Sequence, residues 1–147
     1  MRVSEDQNRD QRSPPGRVEA DGILALGPVA GAVLLDPESI DRLRQLDPGG
    51  QQGVLVRILQ AYETSLARNL DDIADAVAAG DAERLRRAAH MLKSSSAAVG
   101  ALEFAQRCAD VEILTGQAGC LPGRADVEAM VHEGRRVLVA VEAMLAR

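Results

Sequence analysis

Residues 88–100 read Ala88-Ala89-His90-Met91-Leu92-Lys93-Ser94-Ser95-Ser96-Ala97-Ala98-Val99-Gly100. Extended back to Ala82, this stretch predicts one amphipathic helix. At about 100° per residue, Leu85, Ala88, Ala89, Leu92, Ser96 and Val99 fall within roughly 80° of arc and form a stripe to be buried. His90 lies about 100° from Ala89 and about 140° from Leu85, so the wheel turns it toward solvent. Side chains three and four apart meet on a helix, which places Arg86, Arg87, Lys93 and Ser94 around His90, with Ala97 two turns on. Positive neighbours disfavour a further positive charge on the imidazole and leave a ring nitrogen free as a nucleophile. The same cations would stabilise a dianionic group carried on that nitrogen. Small side chains at Ser94 and Ala97 leave room for another protein's surface. The pattern suggests a phosphoryl acceptor.

The flanking sequence supplies helices to pack against this one. Asp36-Pro37 is a helix start, with Asp as N-cap and Pro at the first helical position, and Ile40, Leu43 and Leu46 follow at helical spacing. Asp47-Pro48-Gly49-Gly50 ends that short helix. A long helix follows from Gln52 to Ala79, with a stripe of Leu55, Ile58, Leu59, Tyr62, Leu66, Leu70, Ile73 and Val77. Gly80 is a good stop and Asp81 a good N-cap, so the long helix and the His90 helix should be antiparallel neighbours. Gly100 permits the turn into a third long helix over 101–115, expected to be well buried through Leu102, Phe104, Ala105, Cys108, Ala109, Val111 and Ile113. After a loop over 116–123, a last helix runs over 124–146. The fold class is all-α: an antiparallel up-down four-helix bundle with a short N-terminal capping helix.

Residues 1–35 are assigned to a disordered or loosely packed N-terminal arm, and 36–147 to the bundle domain. The first part of the arm is polar and without period, with Pro14-Pro15 inside it. Residues 22–35 are apolar but broken by Gly22, Gly27, Pro28 and Gly31, too short and interrupted for a membrane span. A surface anchor would want a basic face, which is missing. Aromatic residues are 1% of the chain, Tyr62 and Phe104, which disfavours base-stacking on single strands. The net charge of -5 argues against nucleic acid as the main partner. Cys108 reads as a small core residue and Cys120 as an exposed thiol, in a reduced, cytoplasmic and monomeric protein. His132 on the last helix also points outward, but it lacks the serine run and the following glycine, and reads as a solvated surface residue. A metal site at His90 would want another ligand three or four residues away, and none is there.

The run His90-x-Leu92-Lys93-x-Ser95-Ser96 with Gly100 resembles the histidine-containing phosphotransfer (HPt) domain of bacterial multistep phosphorelays. The likeness extends to Gly100-Ala101, to Cys108 with Val111-Glu112, and upstream to Leu35-Asp36-Pro37-Glu38, covering about residues 36 to 146. Ser94 departs from the pattern, since many members carry glycine there. The resemblance implies that His90 accepts phosphate through Nε2 from a receiver-domain phospho-aspartate of a hybrid histidine kinase, and passes it to a response-regulator aspartate. It casts Lys93 and Arg86 as phosphate contacts, and Arg87, Ser94, Ala97 and Gly100 as partner-docking residues. The chain has no Walker-type loop and no Gly-x-Gly-x-x-Gly, so it should not phosphorylate itself from ATP. It is thus not an enzyme alone, and Mg²⁺ is expected to come with the receiver. The competing function is a non-transferring adaptor or inhibitor that docks a kinase or receiver, against which the retained nucleophile argues. A structural oligomerisation bundle would want a second large apolar face.

Overall fold

The computed structural model describes residues 34–147, in which helices α1 (Pro37–Arg44), α2 (Val54–Ala79), α3 (Ala82–Ala98), α4 (Leu102–Ala118) and α5 (Arg124–Leu145) follow one another with no strand. The arm assigned to 1–35 lies outside these residues except for Leu34 and Leu35. Leu35 is buried and Leu34 packs against the core. No helix among the described residues is long and apolar enough to cross a membrane.

Local chemistry accounts for where each helix begins and ends. Asp36 caps α1, its Oδ2 accepting from the Ser39 backbone N–H at 3.0 Å and from Ser39 Oγ at 2.8 Å. α1 stops at Arg44, which leaves Leu46 outside the helix and exposed. α2 begins at Val54, later than expected, because Gly53 takes a left-handed φ of 64° that keeps it out of the helix, and it has no side chain to act as a cap. The Asp47 carboxylate reaches across instead and accepts from the backbone N–H groups of Gln52 at 2.9 Å and Val54 at 3.3 Å. Between α2 and α3, Gly80 takes a left-handed φ of 69° and Asp81 Oδ1 accepts from the Arg84 N–H at 3.0 Å. α4 runs through Gly116, three residues beyond the expected end, to Ala118. A glycine inside a helix costs only about 1 kcal/mol, and the terminator is Gly119, whose φ of 69° closes the helix.

The α3 stripe is buried as the wheel requires: Leu85, Ala88, Ala89, Leu92, Ser96 and Val99. α3 packs on α2 and α4, α5 packs on α2 and α4, and α1 leans on α2. Ser96 is satisfied inside the core by the Tyr62 hydroxyl at 2.7 Å, and burial raises the Tyr62 phenol above its ordinary range. Cys108 is likewise a core residue, its thiol pushed up to about 12 by burial, while Cys120 is exposed. Three residues expected to be buried are exposed. Val77 borders an open groove with Leu121, Pro122 and Val127 where α2 ends. On α4, Leu102 and Ile113 are 51% and 55% exposed. The buried face of α4 is therefore narrower than its apolar content suggests.

Gly100 sits at the junction that holds α1 to the α3–α4 turn. Its φ is +89°, and an added Cβ would lie 2.8 Å from Ser39 Cβ and 3.0 Å from the Asp36 nitrogen. The Asp36 N–H donates to the Gly100 carbonyl at 2.8 Å. Gly100→Ala should therefore cost about 1–2 kcal/mol for the left-handed backbone and a further ~1–3 kcal/mol for overpacking. Gly80→Ala is the control, because Gly80 shares a positive φ of 69° but has nothing within 4 Å of its added Cβ. Urea unfolding followed by circular dichroism should show the larger loss at Gly100; equal losses would refute the close-packing account.

Candidate phosphoryl-acceptor site

His90 stands mid-way along α3 with its side chain 57% exposed. Its Nδ1 lies 2.7 Å from Glu112 Oε2 on α4, and the other carboxylate oxygen, Oε1, lies 2.8 Å from Lys93 Nζ. Glu112 is partly sheltered, its side chain 17% exposed. The Lys93 ammonium, and after it the His90 ring, hold the Glu112 carboxyl below the usual glutamate range, outweighing the partial burial that would raise it. A lowered carboxylate contributes its full stabilisation above the ordinary glutamate value, and loses it as pH falls through the lowered one. At neutral pH Glu112 is ionised and can only accept. Nδ1 therefore carries the ring hydrogen, and the lone pair is on Nε2.

Two of the three cations predicted around the ring are thus already engaged. Lys93 is paired with Glu112. Arg86 forks back onto Glu83, Nε to Oε1 at 3.0 Å and Nη2 to Oε2 at 2.6 Å, rather than standing free beside His90. The site is a mixed-charge cluster, not the purely basic one that the α3 wheel implies. Arg87, Ser94 and Ala97 are exposed on α3 as expected. Gly100 is buried, and what approaches it closely is the protein's own Asp36 backbone and Ser39 side chain. Ser95 is half-buried, with its hydroxyl donating to the Met91 carbonyl at 3.1 Å. His132 is exposed on α5.

Glu112 is the member of this cluster that reasoning along α3 misses. It lies four residues beyond the buried Cys108, so it borders the core-facing side of α4. Its pairing with His90 becomes legible only once α3 and α4 are placed side by side.

An outward imidazole, paired through Nδ1 with a carboxylate and with a lysine beside it, thus stands on a helix of an all-helical domain. Residues 57–147 match the family model described as the Hpt domain, and the chain belongs to that family. Its role is accordingly histidine phosphotransfer in a phosphorelay, with receiver domains as the class of partner. Among solved structures, histidine-containing phosphotransfer protein B (HptB) from Pseudomonas aeruginosa PAO1 is similar in fold. It has a TM-score of 0.63 and 21% identity over 77% of this chain and 91% of that chain. No curated protein matches this chain significantly.

Proposed function

We propose that His90 takes a phosphoryl group from the phospho-aspartate of a hybrid kinase's receiver domain and gives it to the aspartate of a response regulator. The Nε2 lone pair attacks phosphorus, the P–O bond of the acyl phosphate breaks, and the aspartate leaves as a carboxylate. The ring, still protonated at Nδ1, then bears a positive charge, which the Glu112 carboxylate offsets. Transfer to the second aspartate runs the same step in reverse and returns the neutral ring. Phosphoryl transfer is mostly positioning and charge neutralisation, so this chain supplies the nucleophile and a cation, while the receiver supplies Mg²⁺. The module acts as a monomeric cytoplasmic bundle of up-down order.

The observation that carries this reading is the 2.7 Å pair between Glu112 and Nδ1 of an exposed ring, which leaves Nε2 with the lone pair. The docking face runs from Arg87, Ser94 and Ala97 on α3 to the exposed apolar Leu102 and Ile113 on α4. Exposed Met91 adds to the apolar surface that α3 presents. Lys93 contacts the phosphoryl group. Arg86 does so only if it releases Glu83. Gly100 acts from beneath, by holding the end of α3.

Incubation with a phosphorylated receiver tests the reading: an acid-labile, base-stable phosphate should form on the protein and pass to a second receiver. A protein that binds the receiver without becoming labelled would instead be the non-transferring adaptor. Lys93→Ala should slow transfer about tenfold, the order expected for losing one charge-assisted hydrogen bond. Rapid-quench measurement of label on the histidine checks this, and an unchanged rate would remove Lys93 from the phosphate site.

A further inference from the structure

Glu112 uses both oxygens: Oε2 on the imidazole at 2.7 Å and Oε1 on the Lys93 ammonium at 2.8 Å. The lysine is therefore held one carboxylate's width from the ring that is to be phosphorylated. Lys93 and His90 are three residues apart on α3 and share a side of the helix. The lysine side chain is 38% exposed, and its ammonium is a compact donor on a flexible stem, free to swing without any movement of the helix. A phosphoryl group on Nε2 would bring a dianion within reach of that swing. It would also turn the ring into a cation whose Nδ1–H stays on Glu112. The carboxylate, balanced by Lys93 before transfer, would then be balanced by the ring.

We propose that Lys93 exchanges partners when His90 is phosphorylated, leaving Glu112 Oε1 for the phosphoryl oxygens while Glu112 Oε2 keeps the Nδ1 hydrogen. This rests on His90 being the phosphoacceptor. Glu112 is then a positioning residue with two opposed effects. It steadies the reactive tautomer, and it competes with the phosphoryl group for the lysine. The competition limits how firmly the phosphoryl group is held, which suits an intermediate that must give it up again.

The exchange is tested on the full chain with phosphoramidate as donor. Its P–N bond breaks, the Nε2–P bond forms and ammonia leaves. In ¹⁵N-labelled protein, the Lys93 ammonium resonance should shift on phosphorylation and acquire a coupling to ³¹P across the new hydrogen bond. Absence of any phosphohistidine ³¹P signal would overturn the phosphoacceptor reading together with the exchange. A phosphohistidine signal with the Lys93 resonance unmoved would overturn the exchange alone.

A second measurement uses a double-mutant cycle on the equilibrium between phosphorylated receiver and phosphorylated His90. Glu112→Gln keeps an oxygen for the Nδ1 hydrogen but drops the charge that holds Lys93. In that background Lys93→Ala should lower histidine occupancy about two- to fivefold more than it does in the wild type, the scale of a partly exposed ion pair that no longer has to be broken. A Lys93→Ala effect of equal or smaller size in the Glu112→Gln background would show that the carboxylate and the phosphoryl group do not compete for the lysine, and would overturn the exchange.

Discussion

His90→Gln is expected to abolish phosphoryl uptake altogether, with no label on the protein after incubation with a phosphorylated receiver and none passed to a second one. Glutamine keeps a polar side chain of similar reach but has no nitrogen lone pair able to attack phosphorus. Charge neutralisation and docking speed a transfer only when a nucleophile is present, so their survival in the variant recovers nothing. Stability should barely change, because the residue is exposed and its main bond is to a partner that Lys93 also engages. Surface substitutions of this kind shift stability by about 0.5 kcal/mol or less. The loss should therefore be purely chemical: an unaltered melting curve with no phosphohistidine. His132→Gln is the paired control, since His132 is exposed on α5 beside Val131 and Arg135 and away from Glu112. It should transfer as the wild type does. Full labelling of His90→Gln, or loss of labelling in His132→Gln, would show that the acceptor had been placed on the wrong helix.

The parts of this site that one helix determines were readable from the residues alone. The α3 stripe, the outward histidine and the caps at Asp36 and Asp81 follow from periodicity and from hydrogen bonds that reach three residues at most. Features that depend on a second element were not. Glu112 meets His90 from 22 positions away, and the partners of Gly100 lie at the cap and first turn of α1, more distant still. Arg86 shows a different limit. Glu83 and His90 are both within its reach along α3, and the wheel cannot choose between them. The carboxylate attracts the guanidinium and the imidazole does not, so Arg86 turns back. The start of α2 was hidden because its cap comes from Asp47, in the preceding turn. The exposure of Leu102 and Ile113 was hidden for the opposite reason: apolar content looks the same whether a face is meant for the core or for a partner.

The largest effect on stability should come from Phe104→Ala. This is the chain's one phenylalanine, fully buried on α4. The α5 backbone is shaped around its ring: a Cβ on Gly134 would fall 3.0 Å from Cε1 and Cζ of Phe104, and 3.0 Å from Leu70 Cδ2. Removing the ring leaves a cavity whose floor has no side chain that could collapse into it. The cost should reach about 3–5 kcal/mol, a large share of the ~5–15 kcal/mol typical of a domain. That corresponds to a fall in melting temperature of roughly 10–20 °C, read by circular dichroism because the chain has no tryptophan. The geometry also predicts how to recover part of it. Gly134→Ala alone must push against Phe104 and Leu70, and should be neutral or destabilising despite alanine's advantage of about 1 kcal/mol inside a helix. With the ring gone, the new methyl has room, and the same substitution should restore at least that much. The two changes would then be non-additive in the direction that contact between them requires. Additive effects would mean that the ring does not rest on Gly134, and that the pairing of α4 with α5 has some other basis.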